Sequence, residues 1–144
     1  MAALTDLLAA SSIILDAVAA DRDDAVGQAG AALLAAGAVD AEYTAAMLER
    51  EQTVSTYVGE GVAVPHGTLA SESNVHDDAL VLLRFADAID WNGNDVNVVI
   101  GLAARGRGHV GLLSQLAAVL LEPERAAALR DATSTDDVYR ALSQ

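Results

Sequence analysis

His66 sits in a Val64-Pro65-His66-Gly67 turn sixteen residues after Arg50, and these two residue types together suit phosphoryl chemistry. A neutral imidazole keeps one nitrogen lone pair free as a nucleophile near pH 7, and a guanidinium can hold the oxygens of the phosphoryl group it receives. Pro65 fixes the backbone immediately before the histidine and Gly67 lets the chain turn away after it, so the ring is expected at the mouth of a strand end. If a backbone carbonyl holds Nδ1–H, Nε2 is left to accept the phosphoryl group. From residue type alone, a histidine that merely occupies a turn is the competing reading.

Three further residues could share such a site. Arg50 falls in the last turn of a predicted helix, where it either complements the helix dipole in solvent or reaches across to a phosphate on His66. His109 follows Gly106-Arg107-Gly108 at the start of another helix, where backbone N–H groups and the dipole favour an anion; it reads as a donor to a phosphoryl oxygen or as a plain helix-opening residue. Thr56 precedes the turn and could lend a hydroxyl, or serve as an ordinary strand residue. His76 lies in a polar loop and is read as solvated.

Other chemistries lack a signal. The chain has no cysteine, which removes disulfides, thiolate metal sites and cysteine nucleophiles and suggests an intracellular address. No His-Glu-x-x-His pattern or helical histidine pair supports a metal site, and the glycine-bearing segment 101–108 lacks the lysine and spacing of a P-loop. The net charge of −13, with arginine as the only basic type, argues against nucleic acid and anionic lipid as partners and fits a basic protein partner or simple solubility. No apolar run is long enough to span a bilayer, and the N-terminus lacks a secretory pattern.

The elements that must position these groups follow from periodicity. With 144 residues, 53% of them hydrophobic and only 3% aromatic, the chain is read as one domain, residues 1–144, with a core of Ala, Leu, Val and Ile. Helical spacing predicts helices over residues 23–36 and 40–51, the second capped by Asp40, and later over 108–121, 123–131 and from 134 or 135 to 142, with Thr135-Asp136-Asp137 as the last cap. β-rich texture predicts short strands over 53–58 and 62–64 around Gly59-Glu60-Gly61, and interior strands over 79–85 and 96–103 joined by a surface loop at 87–95. The apolar cluster at 12–15 is left as an edge element or an opening helix. That order predicts an α/β layered domain, a mixed parallel and antiparallel sheet with helices on both sides.

Met47-Leu48-Glu49-Arg50-Glu51, the run from Thr56 to Thr68, and Val99-Ile100-Gly101-Leu102-Ala103-Ala104-Arg105 followed by His109 together resemble the enzyme IIA domains of the bacterial phosphoenolpyruvate-dependent sugar phosphotransferase system. They cover the chain from about residue 40 to 121 and are most similar to the mannitol type of the mannitol/fructose branch. The resemblance implies that His66 is the phosphorylated histidine, Arg50 the phosphate-stabilising arginine and His109 the second active-site histidine, with Thr56 a nearby hydroxyl. It implies a cytoplasmic phosphotransferase that takes phosphate from the carrier protein HPr and passes it to a cysteine on a IIB domain, without metal or cofactor. A fructose-type IIA and a regulatory IIA-like phosphoprotein that signals by binding are the alternatives. Many relatives are fused to membrane domains, whereas this chain ends at Gln144, so a free-standing component without direct membrane insertion is expected. An acidic surface would steer a basic partner to a small apolar docking patch, and the encounter should weaken with salt.

Overall fold

Alternating apolar residues along positions 79–103 form the centre of the molecule, seen in a computed structural model that describes residues 3–106 and 108–143. Strands β4 (Ala79–Trp91) and β5 (Asn94–Ala103) pair antiparallel, from Ala79 opposite Ala103 to Trp91 opposite Asn94, with a register break between Arg84 and Ile89. Leu80, Leu82, Ile100 and Leu102 face one layer while Val81, Leu83, Phe85 and Val99 face the other, as a period of two requires.

The full sheet has five strands in the order β1-β4-β5-β3-β2. β1 (Leu8–Ala17) lies parallel to β4 at one edge, preceded by a 3-10 turn at Leu4–Leu7. On the other side β3 (Val62–Ala63) runs parallel to β5 and closes a short antiparallel pair with β2 (Tyr57–Gly59). Helices α1 (Arg22–Ala35) and α2 (Tyr43–Thr53) cover one face through Val26, Leu33, Tyr43 and Met47. Helices α3 (Gly108–Leu120), α4 (Pro123–Arg130) and α5 (Thr135–Ser143) cover the other through Leu116, Leu129 and Val138. The α/β layering expected from the sequence is therefore observed, with a mixed sheet between two helical layers. Among the described residues, no helix is long and apolar enough to cross a membrane.

Five local expectations are corrected. The surface loop expected at residues 87–95 is a hairpin: Asn92 and Gly93 carry φ of 55° and 93°, the left-handed pair that a two-residue turn needs. Trp91 is thereby drawn fully inside. Helix α2 starts at Tyr43, because Asp40 accepts a hydrogen bond from His76 Nε2 at 2.6 Å instead of capping the helix; His76, half exposed, is thus hydrogen-bonded and not simply solvated. α2 also runs on to Thr53, so the strand expected from residue 53 begins only at Tyr57. The last helix is capped by Ser134, whose Oγ accepts from the Asp137 N–H, while the Asp137 carboxylate accepts from the Thr133 N–H, a reciprocal arrangement related to the capping box.

Gly27 lies in the middle of α1, where an added Cβ would meet no atom within 4 Å. Because alanine restricts the unfolded chain and fits the helix, Gly27→Ala is expected to stabilise the fold by about 0.5–1 kcal/mol, read as a raised melting temperature. A lowered one would show that the open space is needed.

Candidate active site

The chain leaves β3 through Val64 and Pro65 and reaches His66 beside the end of β5, where the Leu102 N–H donates to the Pro65 carbonyl at 3.0 Å and His66 bridges Leu102 in parallel register. Proline can stand here because its missing donor is not needed and its carbonyl still pairs. Behind the corner, the buried Tyr43 of α2 donates its hydroxyl to Leu102 O at 2.9 Å and accepts the Gly67 N–H at 2.9 Å. A side chain at Gly67 would collide with this clamp, since a Cβ there would lie 2.4 Å from Ser71 Oγ and 2.5 Å from the Tyr43 ring. Burial pushes the Tyr43 hydroxyl's pKa above its ordinary value, which keeps it a donor.

His66 Nδ1 lies 2.9 Å from Val64 O. A carbonyl can only accept, so Nδ1 carries the proton and a neutral ring keeps its lone pair on Nε2. Burial is the main force lowering the His66 pKa below 6.5; the Val64 bond opposes it, Arg50 and His109 add to it by charge, and Glu51 opposes it by charge. The neutral, nucleophilic ring therefore persists below pH 6.5.

The His109 ring, brought in by the first turn of α3, stacks near His66 with centroids 6.2 Å apart and planes inclined by 27°. The loop leading to it is tied down by two carboxylates: Glu72 Oε1 accepts the Gly106 N–H at 2.6 Å and Asp78 Oδ1 the Arg105 N–H at 3.1 Å. Arg50, in the last turn of α2, donates from Nη1 to Val54 O at 2.7 Å. Arg50, His66 and His109 all line one open cleft of about 420 Å³, with Leu69 and Val110 among its walls.

Thr56 is placed differently from its sequence expectation. It is buried and does not line the cleft; its hydroxyl donates to Glu51 Oε1 at 2.5 Å and its N–H to Glu51 Oε2 at 2.8 Å. The hydroxyl proton is thereby committed to Glu51 rather than offered to the cleft. The sequence alone does not single out Tyr43, Glu51, Glu72 or Asp78 for the site. The polar end of a core tyrosine and a glutamate directly after the arginine were the available signals. Among the described residues, no three His, Asp or Glu side chains converge on a metal-sized site.

The chain is similar to known proteins along nearly its whole length. The family model described as "Phosphoenolpyruvate-dependent sugar phosphotransferase system, EIIA 2" matches residues 6–144. The chain belongs to that family. A mannitol-specific phosphotransferase enzyme IIA component from Staphylococcus aureus is 35% identical over 141 residues, 98% of each chain. The crystal structure of IIA mannitol from Escherichia coli superposes with a TM-score of 0.87 at 33% identity, over 94% of this chain and 98% of that one. A complex of enzyme IIAMTL with phosphorylated enzyme IIBMTL from the same organism superposes at 0.88 with 32% identity, over 95% and 99%. The IIA-type resemblance read from the Pro65-His66-Gly67 turn and its upstream arginine is thus supported over nearly the full length.

The depressed His66 pKa has a measurable consequence in acid. Below 6.5 an unfolded histidine is protonated while His66 in the fold is still neutral, so phosphoryl acceptance should hold as the pH falls through 6.5 and be lost only at the lower folded pKa. The same difference costs stability: the unfolded chain binds the extra proton first, so this contribution to stability falls as pH drops from 6.5 toward the folded value and is constant beneath it. Ring NMR titration beside rapid-quench transfer rates checks both. A midpoint at or above 6.5 would contradict the burial account.

Proposed function

We propose that this chain is a phosphoryl carrier of the sugar phosphotransferase system, serving mannitol uptake, in which His66 takes phosphate from phospho-HPr and gives it to a cysteine of a IIB domain. The observation that supports this reading most is the hydrogen bond from His66 Nδ1 to Val64 O in a cleft shared with Arg50 and His109. It leaves Nε2 as the nucleophile. In the first transfer the Nε2 lone pair forms an N–P bond as the donor's own N–P bond breaks and its electron pair returns to the donor imidazole. The His66 ring, still protonated on Nδ1, gains positive charge, which the Val64 carbonyl stabilises. In the second transfer a IIB thiolate forms an S–P bond, the His66 N–P bond breaks, and its electrons return to Nε2.

The protein contributes position and charge to both steps, because a phosphoryl transfer needs an in-line approach and compensation of its equatorial oxygens more than it needs acid or base. Arg50 supplies the fixed positive charge and His109 a second polar contact at 6.2 Å between ring centroids. Leu69 and Val110, 78% and 57% exposed at the cleft, offer a small apolar rim for docking. A small rim suits a carrier that must release each partner quickly, while the net charge of −13 favours basic partners.

The mannitol-specific relatives support the mannitol assignment. The same reading takes residues 1–144 as one domain acting in the cytoplasm, where HPr and IIB would meet it. The deciding experiment mixes the protein with phosphoenolpyruvate, enzyme I and HPr, assays acid-labile phosphate, and then adds the IIB domain of a mannitol permease. Label should appear on the chain and leave it on addition of IIB. Label that never appears sinks the carrier reading, and label that stays sinks the transport role.

A further inference from the structure

Glu51, the residue after Arg50 on α2, is a charged side chain with 1% exposure and is absent from the chemistry above. Consecutive helical residues point about 100° apart, so at the end of α2 Arg50 turns into the cleft while Glu51 turns inward. Its carboxylate accepts the Thr56 N–H at 2.8 Å, the Thr56 hydroxyl at 2.5 Å and the Trp91 indole N–H at 2.9 Å. Among the described residues it joins no ion pair. Burying a carboxylate is costly even when it is fully hydrogen-bonded, and an apolar side chain of similar volume would often serve stability as well. Stability alone therefore does not explain its place.

Two features connect Glu51 to the carrier site. It anchors Thr56, two residues beyond Val54, the residue whose carbonyl receives Arg50 Nη1 at 2.7 Å. It lies next to Arg50 along α2, and its charge also acts on the His66 ring with a sign opposite to that of Arg50 and His109, as the smallest of the influences on that ring. A carrier faces a constraint that an ordinary binding site does not. Too little positive charge and the phosphoryl group is not accepted; too much and it is not released.

We propose that Glu51 is a positioning residue that acts as an internal counter-charge, weakening the hold of Arg50 on the His66 phosphoryl group so that transfer stays reversible. This rests on the phosphoryl-carrier reading. A phosphoryl group with nearly two negative charges is repelled by the buried carboxylate, and Arg50, seated against the turn that Glu51 anchors, attracts it from the cleft side. The balance of the two sets the equilibrium with the donor. Glu72 and His109, which also line the cleft, face the same group, but Glu72 is engaged by the Gly106 N–H and sits on the far loop.

The test is Glu51→Gln, which removes the charge and can keep the network: the amide oxygen accepts from Thr56 N–H and Trp91, and the amide nitrogen donates to the Thr56 hydroxyl. Near-UV circular dichroism of Trp91 reports whether the network survives. The equilibrium with purified phospho-HPr should shift toward the phosphorylated chain by about three- to tenfold, with slower onward transfer to IIB, and the His66 titration midpoint should fall further. Trp91→Phe, which loosens the same network but keeps the charge, should move that equilibrium by less than about twofold. An unchanged equilibrium in folded Glu51→Gln, or an equal shift in Trp91→Phe, overturns the proposal. Should Glu51→Gln be too unstable, the Gly27→Ala background supplies stability at a position remote from the cleft, and the same two outcomes decide. If the parent chain takes no phosphate at all, the carrier reading fails separately, and the His66 titration still reads the charge of Glu51: a midpoint that does not fall in Glu51→Gln overturns its action on the ring.

Discussion

His66→Ala is expected to accumulate no acid-labile phosphate from phospho-HPr while folding to a native-like structure. The loss should be complete within detection, because the variant removes the atom that forms the N–P bond and not a contact that helps it. His109 cannot take over. Its ring stands 6.2 Å from that of His66 at the start of a different element, and the Val64 carbonyl that selects the His66 tautomer is fixed to the His66 side of the cleft. The fold should tolerate the change, since the ring is only half-buried and makes one hydrogen bond, whose loss leaves Val64 O unpaired at a cost of about 1 kcal/mol. Label surviving in folded His66→Ala would move the phosphorylation elsewhere and end the site assignment, whereas loss of label in an unfolded variant would be read again with His66→Gln.

The parts of this site that were legible in the sequence are those whose cause is local. Pro65 and Gly67 specify a corner through their own backbones, and His66 must stand at it whatever the rest of the chain does. Helices α1, α3 and α4 were readable because their apolar spacing and their flanking Asp, Gly and Pro signals sit within a few residues of each other. Thr56 and Glu51 were misread or passed over because their environment is made by residue 91, brought from the far end of a hairpin. Spacing along α2 alone gives no reason to bury a glutamate. The hairpin itself was signalled by Asn92-Gly93, yet the charged and polar residues around it, with alternation broken by the bulge before Ile89, read as surface loop. Tyr43 shows the same limit in a milder form: helical spacing along α2 accounts for its burial, but its hydroxyl finds Leu102 and Gly67 only once the sheet is assembled.

Arg50→Ala should slow phosphoryl transfer by about 10²–10³-fold without changing the melting temperature by more than a few degrees, in line with losses seen when one preorganised donor is removed from a developing anion. The guanidinium is half-buried and donates to the Val54 carbonyl at the exposed end of α2, so truncation opens no core cavity and water can replace the contact. Its effect falls on the transition state because the charge on the phosphoryl oxygens is spread and held there by a fixed fork. Arg50→Lys should recover only part of the rate, as an ammonium keeps the charge but loses the planar pair of donors. His109→Ala should cost less, about tenfold, since a single ring whose centroid lies 6.2 Å from that of His66 offers one polar contact where Arg50 offers a planar fork of donors. Rapid-quench rates with phospho-HPr separate these cases: unchanged rates in both alanine variants would show that electrostatic support of the phosphoryl group is not how this cleft works. Equal losses in Arg50→Lys and Arg50→Ala would show that geometry, and not charge, is what Arg50 supplies.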